Sequence, residues 1–123
     1  MSVSSRILTG WTVEILDNVT HPDFAKFHAF IDIHPELDEY NYKDIVGQTL
    51  LIVDGMNGHY LRLMKIDACQ KNAYFSTSRY MTELKSPELT DDILVEFQKI
   101  YKEYTGTDLQ VNQIKYTMWT QWT

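Results

Sequence analysis

The sequence holds a single cysteine, Cys69, so no disulfide can form within the chain and the cysteine-stapled framework of small secreted domains is excluded. No apolar run is longer than the four residues Leu50-Leu51-Ile52-Val53, far short of the roughly 20 that a membrane-spanning helix needs. The first twenty residues carry Arg6, but Glu14 and Asp17 interrupt any hydrophobic stretch of targeting length, so a soluble, cytoplasmic protein is expected. Base-rich stretches are also missing. The net charge is −6, which removes the electrostatic footprint of a direct nucleic-acid binder. Missing too are paired cysteines, two histidines flanking a glutamate at helical spacing, and a nucleophile elbow. No cofactor or metal is expected, and no enzyme class is indicated.

What is present is ordinary for a globular chain: 44% hydrophobic and 23% charged residues in 123 positions, enough to bury a core as one domain spanning residues 1–123. Residues 1 to 5 are small and polar and are expected to be disordered. The segment from Val46 to Met81 reads as a three-stranded meander. Its uninterrupted Leu50–Val53 run requires cover on both faces, which predicts a central strand. Asp54-Gly55-Met56-Asn57-Gly58 supplies the glycines of a hairpin loop. Tyr60 to Ile66 returns with Leu61 and Leu63 on one face, and Tyr74 to Tyr80, rich in aromatic and hydroxyl side chains, predicts the third strand.

On either side of the meander lie one strand and one helix. Ile7 to Leu16 alternates as a half-buried strand, with Trp11, Val13 and Ile15 on one side. Thr20, Pro22 and Asp23 mark a helix start, and the helix is predicted over about 21–33, with Phe24, Phe27 and Ile31 on one stripe, Phe30 and His34 at its edge, and Pro35 ending it. Residues 35–44 have no period and four acids, the signature of a surface connection. A second helix is predicted over about 90–105: Thr90 caps it, Asp91 and Asp92 suit the positive end of its dipole, and Gly106 stops it. Its stripe of Ile93, Leu94, Phe97, Ile100, Tyr101 and Tyr104 is cleanly amphipathic. Asp108 to Trp122 reads as a last strand whose apolar parity changes near Asn112-Gln113, as a β-bulge there would cause.

These elements define an α+β fold with a mostly antiparallel, curved sheet of about five strands and two helices. Two layouts accommodate them: an open, ferredoxin-like sheet with an extra strand and both helices on one face, and an SH3-like barrel formed by the meander. The open sheet is preferred, because each helical stripe needs a broad apolar face to cover.

Few residues suggest chemistry. His28 and Asp32 share a helix face at four-residue spacing, the weak beginning of a metal site or of an acid and base pair; an exposed His beside a carboxylate on the helix's polar side is the favoured explanation. His34, before Pro35, suits the negative end of a helix dipole. Gly55-Met56-Asn57-Gly58 has the Gly-x-x-Gly spacing with which some RNA-binding domains clamp a backbone, but here it joins strands, and a hairpin accounts for both glycines. Cys69 has no activating partner nearby in sequence, and Ser76 to Ser78 lie on a strand. Aromatic content stands out, with eight Tyr, five Phe and three Trp. Along a strand ending in Met118-Trp119-Thr120-Gln121-Trp122 the two tryptophans point to opposite faces, so one of them is left outward near Tyr116 or Thr117.

A non-enzymatic module that forms a homodimer or other homo-oligomer through Tyr116, Trp119 and Trp122 is therefore the leading expectation. A small enzyme using the His28 and Asp32 face is the alternative. A weaker one is an acidic decoy of a nucleic-acid-binding protein, since residues 14–45 hold eight acids against two lysines.

Overall fold

The computed structural model describes residues 5–15, 24–54, 61–71 and 87–122, with the side chains of Ser5, Phe24, Lys71 and Trp122 outside the description. Its elements run β1 (Ser5–Glu14), α1 (Phe24–Ile33), β2 (Leu51–Asp54), β3 (Leu61–Lys71), α2 (Asp91–Thr105) and β4 (Lys115–Trp122). Short 3-10 turns occupy Pro35–Leu37, Glu39–Asn41 and Val111–Gln113. The four strands form one open antiparallel sheet in the order β2-β3-β1-β4. Strand order and chain order together are those of the split β-α-β, ferredoxin-like layout, an α+β fold, and the barrel is set aside. The expected third meander strand over 74–80, the helix start at Thr20 and Pro22, and the glycine loop at 55–58 lie outside the described residues.

Both faces of the sheet are covered, by different means. On the first face Val13, Ile52 and Leu63 meet Phe30 of α1 and Phe97, Ile100, Tyr101 and Tyr104 of α2, all buried. Both helical stripes thus find the same apolar face, and the rings of Phe30 and Tyr104 meet edge-on at 4.9 Å. The second face carries Leu8, Leu51, Val53, Met64 and Ile66 beneath Ile45, with Tyr42 and Val46 packed against them. The connection between α1 and β2 therefore serves as a lid over that face.

That lid corrects two expectations. Leu50–Val53 does have both faces covered, but among the described residues β2 stands at the sheet's edge and β1 near its middle. An unbroken apolar run reports cover above and below, and says nothing about how many strands lie alongside. The connection at 35–44 is likewise no mere surface segment, because Leu37 and Glu39 are buried.

The bulge is also elsewhere. The β1–β3 register shifts between Thr9 and Gly10, which pair with Ala68 and Ile66, so Asp67 is the extra residue of β3. This flips the parity of β3 and lets Ile66 and Cys69 lie on one face. Strand β1 approaches so closely here that a Cβ at Gly10 would overlap the Lys65 carbonyl, which glycine alone avoids. The parity change near Asn112 comes instead from the 3-10 turn at Val111–Gln113, after which β4 begins at Lys115.

Helix α2 keeps its predicted ends. Thr90 is its extended N-cap, and Gly106, at φ 77°, closes it with an N–H that donates to the Lys102 carbonyl at 2.8 Å.

Candidate functional site

The two edges of the sheet differ in how they are finished. At β2, Asp38 makes a parallel bridge to Ile52, and the Asp54 N–H donates to Glu39 Oε2 at 3.0 Å. The 3-10 turns thus occupy the outer hydrogen-bonding groups of a strand only four residues long. Strand β4 is eight residues long and pairs with β1 throughout, from Ser5↔Trp122 to Thr12↔Lys115. Along its other side no strand pairs among the described residues. Its sequence, KYTMWTQW, contains one charge and no proline, so the devices that usually blunt an edge are nearly absent.

Register assigns the aromatic side chains of β4 to opposite faces. Trp119 pairs with Leu8 and Tyr116 with Trp11. Trp119 is half-buried against the second-face cluster, with the Arg62 guanidinium 5.3 Å above its ring. Tyr116 meets Trp11 edge-on at 5.2 Å. Its hydroxyl is pushed up to about 12 by burial, with the Asp67 carboxylate adding to the effect. Trp122 pairs in register with Ser5, and its side chain lies outside the described residues. Tyr116 and Trp119 therefore flank the edge, one on each face, and do not make one patch.

A buried polar cluster seals the β2 side, and nothing local in the sequence announces it. Glu39, 3% exposed, takes the Arg6 Nη2 donor at 2.8 Å on Oε1, and Gln121 Nε2 lies 2.9 and 3.1 Å from its two oxygens. Gln121, fully buried, also donates to the Asp54 carbonyl at 2.6 Å and accepts from Arg6 Nε at 2.5 Å. Burial pushes the Glu39 carboxyl above the ordinary glutamate range, against the opposing pull of Gln121, the Asp54 N–H and Arg6. A buried acid with a raised pKa has the profile of a catalytic group. Here both oxygens are already occupied, so the arrangement ties β1, β2 and β4 to the 3-10 turn and leaves no oxygen for a substrate.

His34 follows α1 and joins it to α2. Its Nε2 lies 2.6 Å from Glu103 Oε1, its Nδ1 3.2 Å from Glu36 Oε1, and its ring 4.6 Å from that of Phe30. The Glu103 hydrogen bond, aided by Glu36, holds the imidazolium above its ordinary 6.5 despite some burial. The two carboxylates address different ring nitrogens, so they do not converge on a common metal position. A raised folded pKa means that the stability His34 contributes is fully present below 6.5 and is lost as pH rises through the folded value. Between about pH 6 and pH 8 the wild type should lose more stability than Glu103→Gln, as measured by urea denaturation at each pH. Equal slopes in the two proteins would refute the role of this pair.

Beside His34 lies a cleft of about 480 Å³, bounded by α2 and by residues between His34 and Leu50. Leu37, Leu50 and Ile100 are buried in its floor, and Glu36, Asp92, Glu96 and Lys99 line it from above.

His28 and Asp32 are both exposed, and the ion pairs among the described residues do not join them. No group of three or more His, Cys, Asp or Glu side chains among the described residues is placed to hold a metal ion. Cys69 is a free, half-buried thiol at the margin of the second-face cluster. No helix of the described residues is long and apolar enough to cross a membrane. In comparisons with family models, with curated proteins and with solved structures, the chain matches none.

Proposed function

We propose that this protein is a non-enzymatic binding and assembly module that pairs with a second copy of itself through β4. The observation that carries the proposal is the contrast between the edges: β2 is short and closed by Asp38 and Glu39, whereas β4 is long, nearly uncharged and unpaired on its outer side among the described residues. A long, nearly uncharged edge of this kind is a template for another strand. Antiparallel pairing of β4 with its own copy obeys a two-fold axis, the commonest symmetry of soluble oligomers, and joins the two sheets into one. Trp119 and Tyr116 of each copy then lie beside the seam, one on each face, where large aromatic side chains contribute most to an interface. A specific dimer of this kind buries at least ~1,000 Å² in total.

The test is sedimentation velocity over a wide dilution series, with circular dichroism to confirm that each variant is folded. The wild type should be a dimer that dissociates on dilution. Thr120→Lys, which adds the charge that natural edges use, and Trp119→Ser and Trp122→Ser should each shift the equilibrium towards monomer by tenfold or more, about 1.4 kcal/mol or above. A wild type that stays monomeric at high concentration overturns the proposal, and so does a dimer indifferent to all three changes. The enzyme reading at His28 and Asp32 has less in its favour, since both side chains are exposed and not joined to each other.

A further inference from the structure

We propose that the cleft between α2 and the connection at 34–50 receives a lysine- or arginine-bearing segment of a partner protein. The aliphatic stems of that segment lie along Leu50, Ile93 and Ile100, and its cationic heads meet Glu36, Asp92 and Glu96. Long basic side chains are suited to such a groove because they bury a hydrocarbon stem while keeping the charge at the rim.

Charge complementarity selects this occupant. Of the ionisable side chains lining the cleft, three are acids, and the cations are Lys99 and His34, the second already held between Glu103 and Glu36. A phosphate-bearing or carboxylate-bearing ligand would face those three acids across an apolar floor, with Lys99 as its one cationic partner beside the already engaged His34. The Thr90 hydroxyl holds the Asp92 carboxyl below the ordinary aspartate range. Beyond this rim, Val95 is 57% exposed on α2, one turn from Asp92 and Lys99.

The cleft is independent of self-association. Leu50 leads into β2, at the opposite edge of the sheet from β4, so a dimer formed through β4 leaves both clefts open. Failure of one proposal is therefore distinguishable from failure of the other.

The probe is an acetylated, amidated hexalysine peptide, titrated into the full chain at low ionic strength by calorimetry and by nitrogen–proton correlation spectra. Shifts should concentrate at the amides of Leu50, Ile93, Glu96 and Ile100. Asp92→Asn with Glu96→Gln should weaken binding roughly tenfold, the loss expected when two exposed charge pairs are removed. Glu14→Gln with Asp108→Asn makes the same change in net charge outside the cleft, and when the titrations are repeated at about 0.1 M salt, where screened charges act over only about 10 Å, it should change affinity less than about twofold. Absence of binding at low salt overturns the proposal. So do shifts spread over the whole acidic surface, or equal losses in the two double variants, either of which would mean that net charge alone attracts the peptide.

Discussion

Phe97→Ala should lower the unfolding free energy by about 3 to 5 kcal/mol, the range for truncating a buried aromatic side chain. Phe97 has no exposed surface and sits in the middle of α2, among the first-face side chains that include Ile52, Leu63 and Ile100. Interiors are packed at crystal-like density, so the sheet on one side and the helix backbone on the other leave little room for collapse into the space vacated. Typical domains have only about 5 to 15 kcal/mol in total, so the loss would be a large fraction of the stability. Val95→Ala, two residues away on the same helix but 57% exposed, should stay within about 0.5 kcal/mol of wild type. Urea denaturation of both proteins is the check. A Phe97→Ala change below about 1 kcal/mol would mean that α2 does not cover the sheet through this stripe.

The second large effect should come from Arg6→Leu, at about 2 to 4 kcal/mol near neutral pH. Glu39 has almost no exposed surface, whereas the Arg6 side chain is 22% exposed, so the carboxylate is the partner that water cannot rescue. For that reason the estimate lies below the full cost of stranding a charge in a closed interior. The pH dependence follows from the sign of the shift. Burial already raises the folded pKa of Glu39, and loss of Arg6 raises it further. A group with a raised folded pKa gives its full stability at low pH and loses it as pH rises through the folded value, so the variant's deficit should shrink on acidification. Adding Glu39→Gln to Arg6→Leu should recover part of the loss at neutral pH, because a neutral amide keeps an acceptor for the Asp54 N–H without a buried charge. A deficit that stays constant between about pH 4 and about pH 8 would show that Arg6 acts through packing alone.

Much of this protein was decided by the sequence alone. Local pattern determined where α2 begins and ends, because the acids of its first turn and Gly106 act within one helical turn of the residues they bound. It determined the antiparallel pairing of β2 with β3, since the short glycine-bearing connection between them is too brief for a parallel crossover, and the α+β class, since apolar periodicity tells strand from helix. It also determined that Trp119 and Tyr116 alternate across β4, a property of any strand.

Tertiary structure decided the rest. Which strand takes the middle of the sheet depends on pairing partners far apart in the chain, so the apolar run at Leu50–Val53 pointed to a central strand and belongs to an edge closed by a turn. The parity change before β4 looked like a bulge, while the actual one sits opposite Gly10, where only the approach of β3 reveals the need for glycine. The cluster of Arg6, Glu39 and Gln121 was out of reach altogether. Its members are 33, 82 and 115 positions apart, and each by itself reads as a polar residue of an ordinary strand or connection. A hydrophobic stripe is legible because it repeats along one element and meets any apolar surface. A buried hydrogen-bonded charge pair does not repeat, and it exists only once the fold has brought its particular partners within bonding distance and removed the water between them.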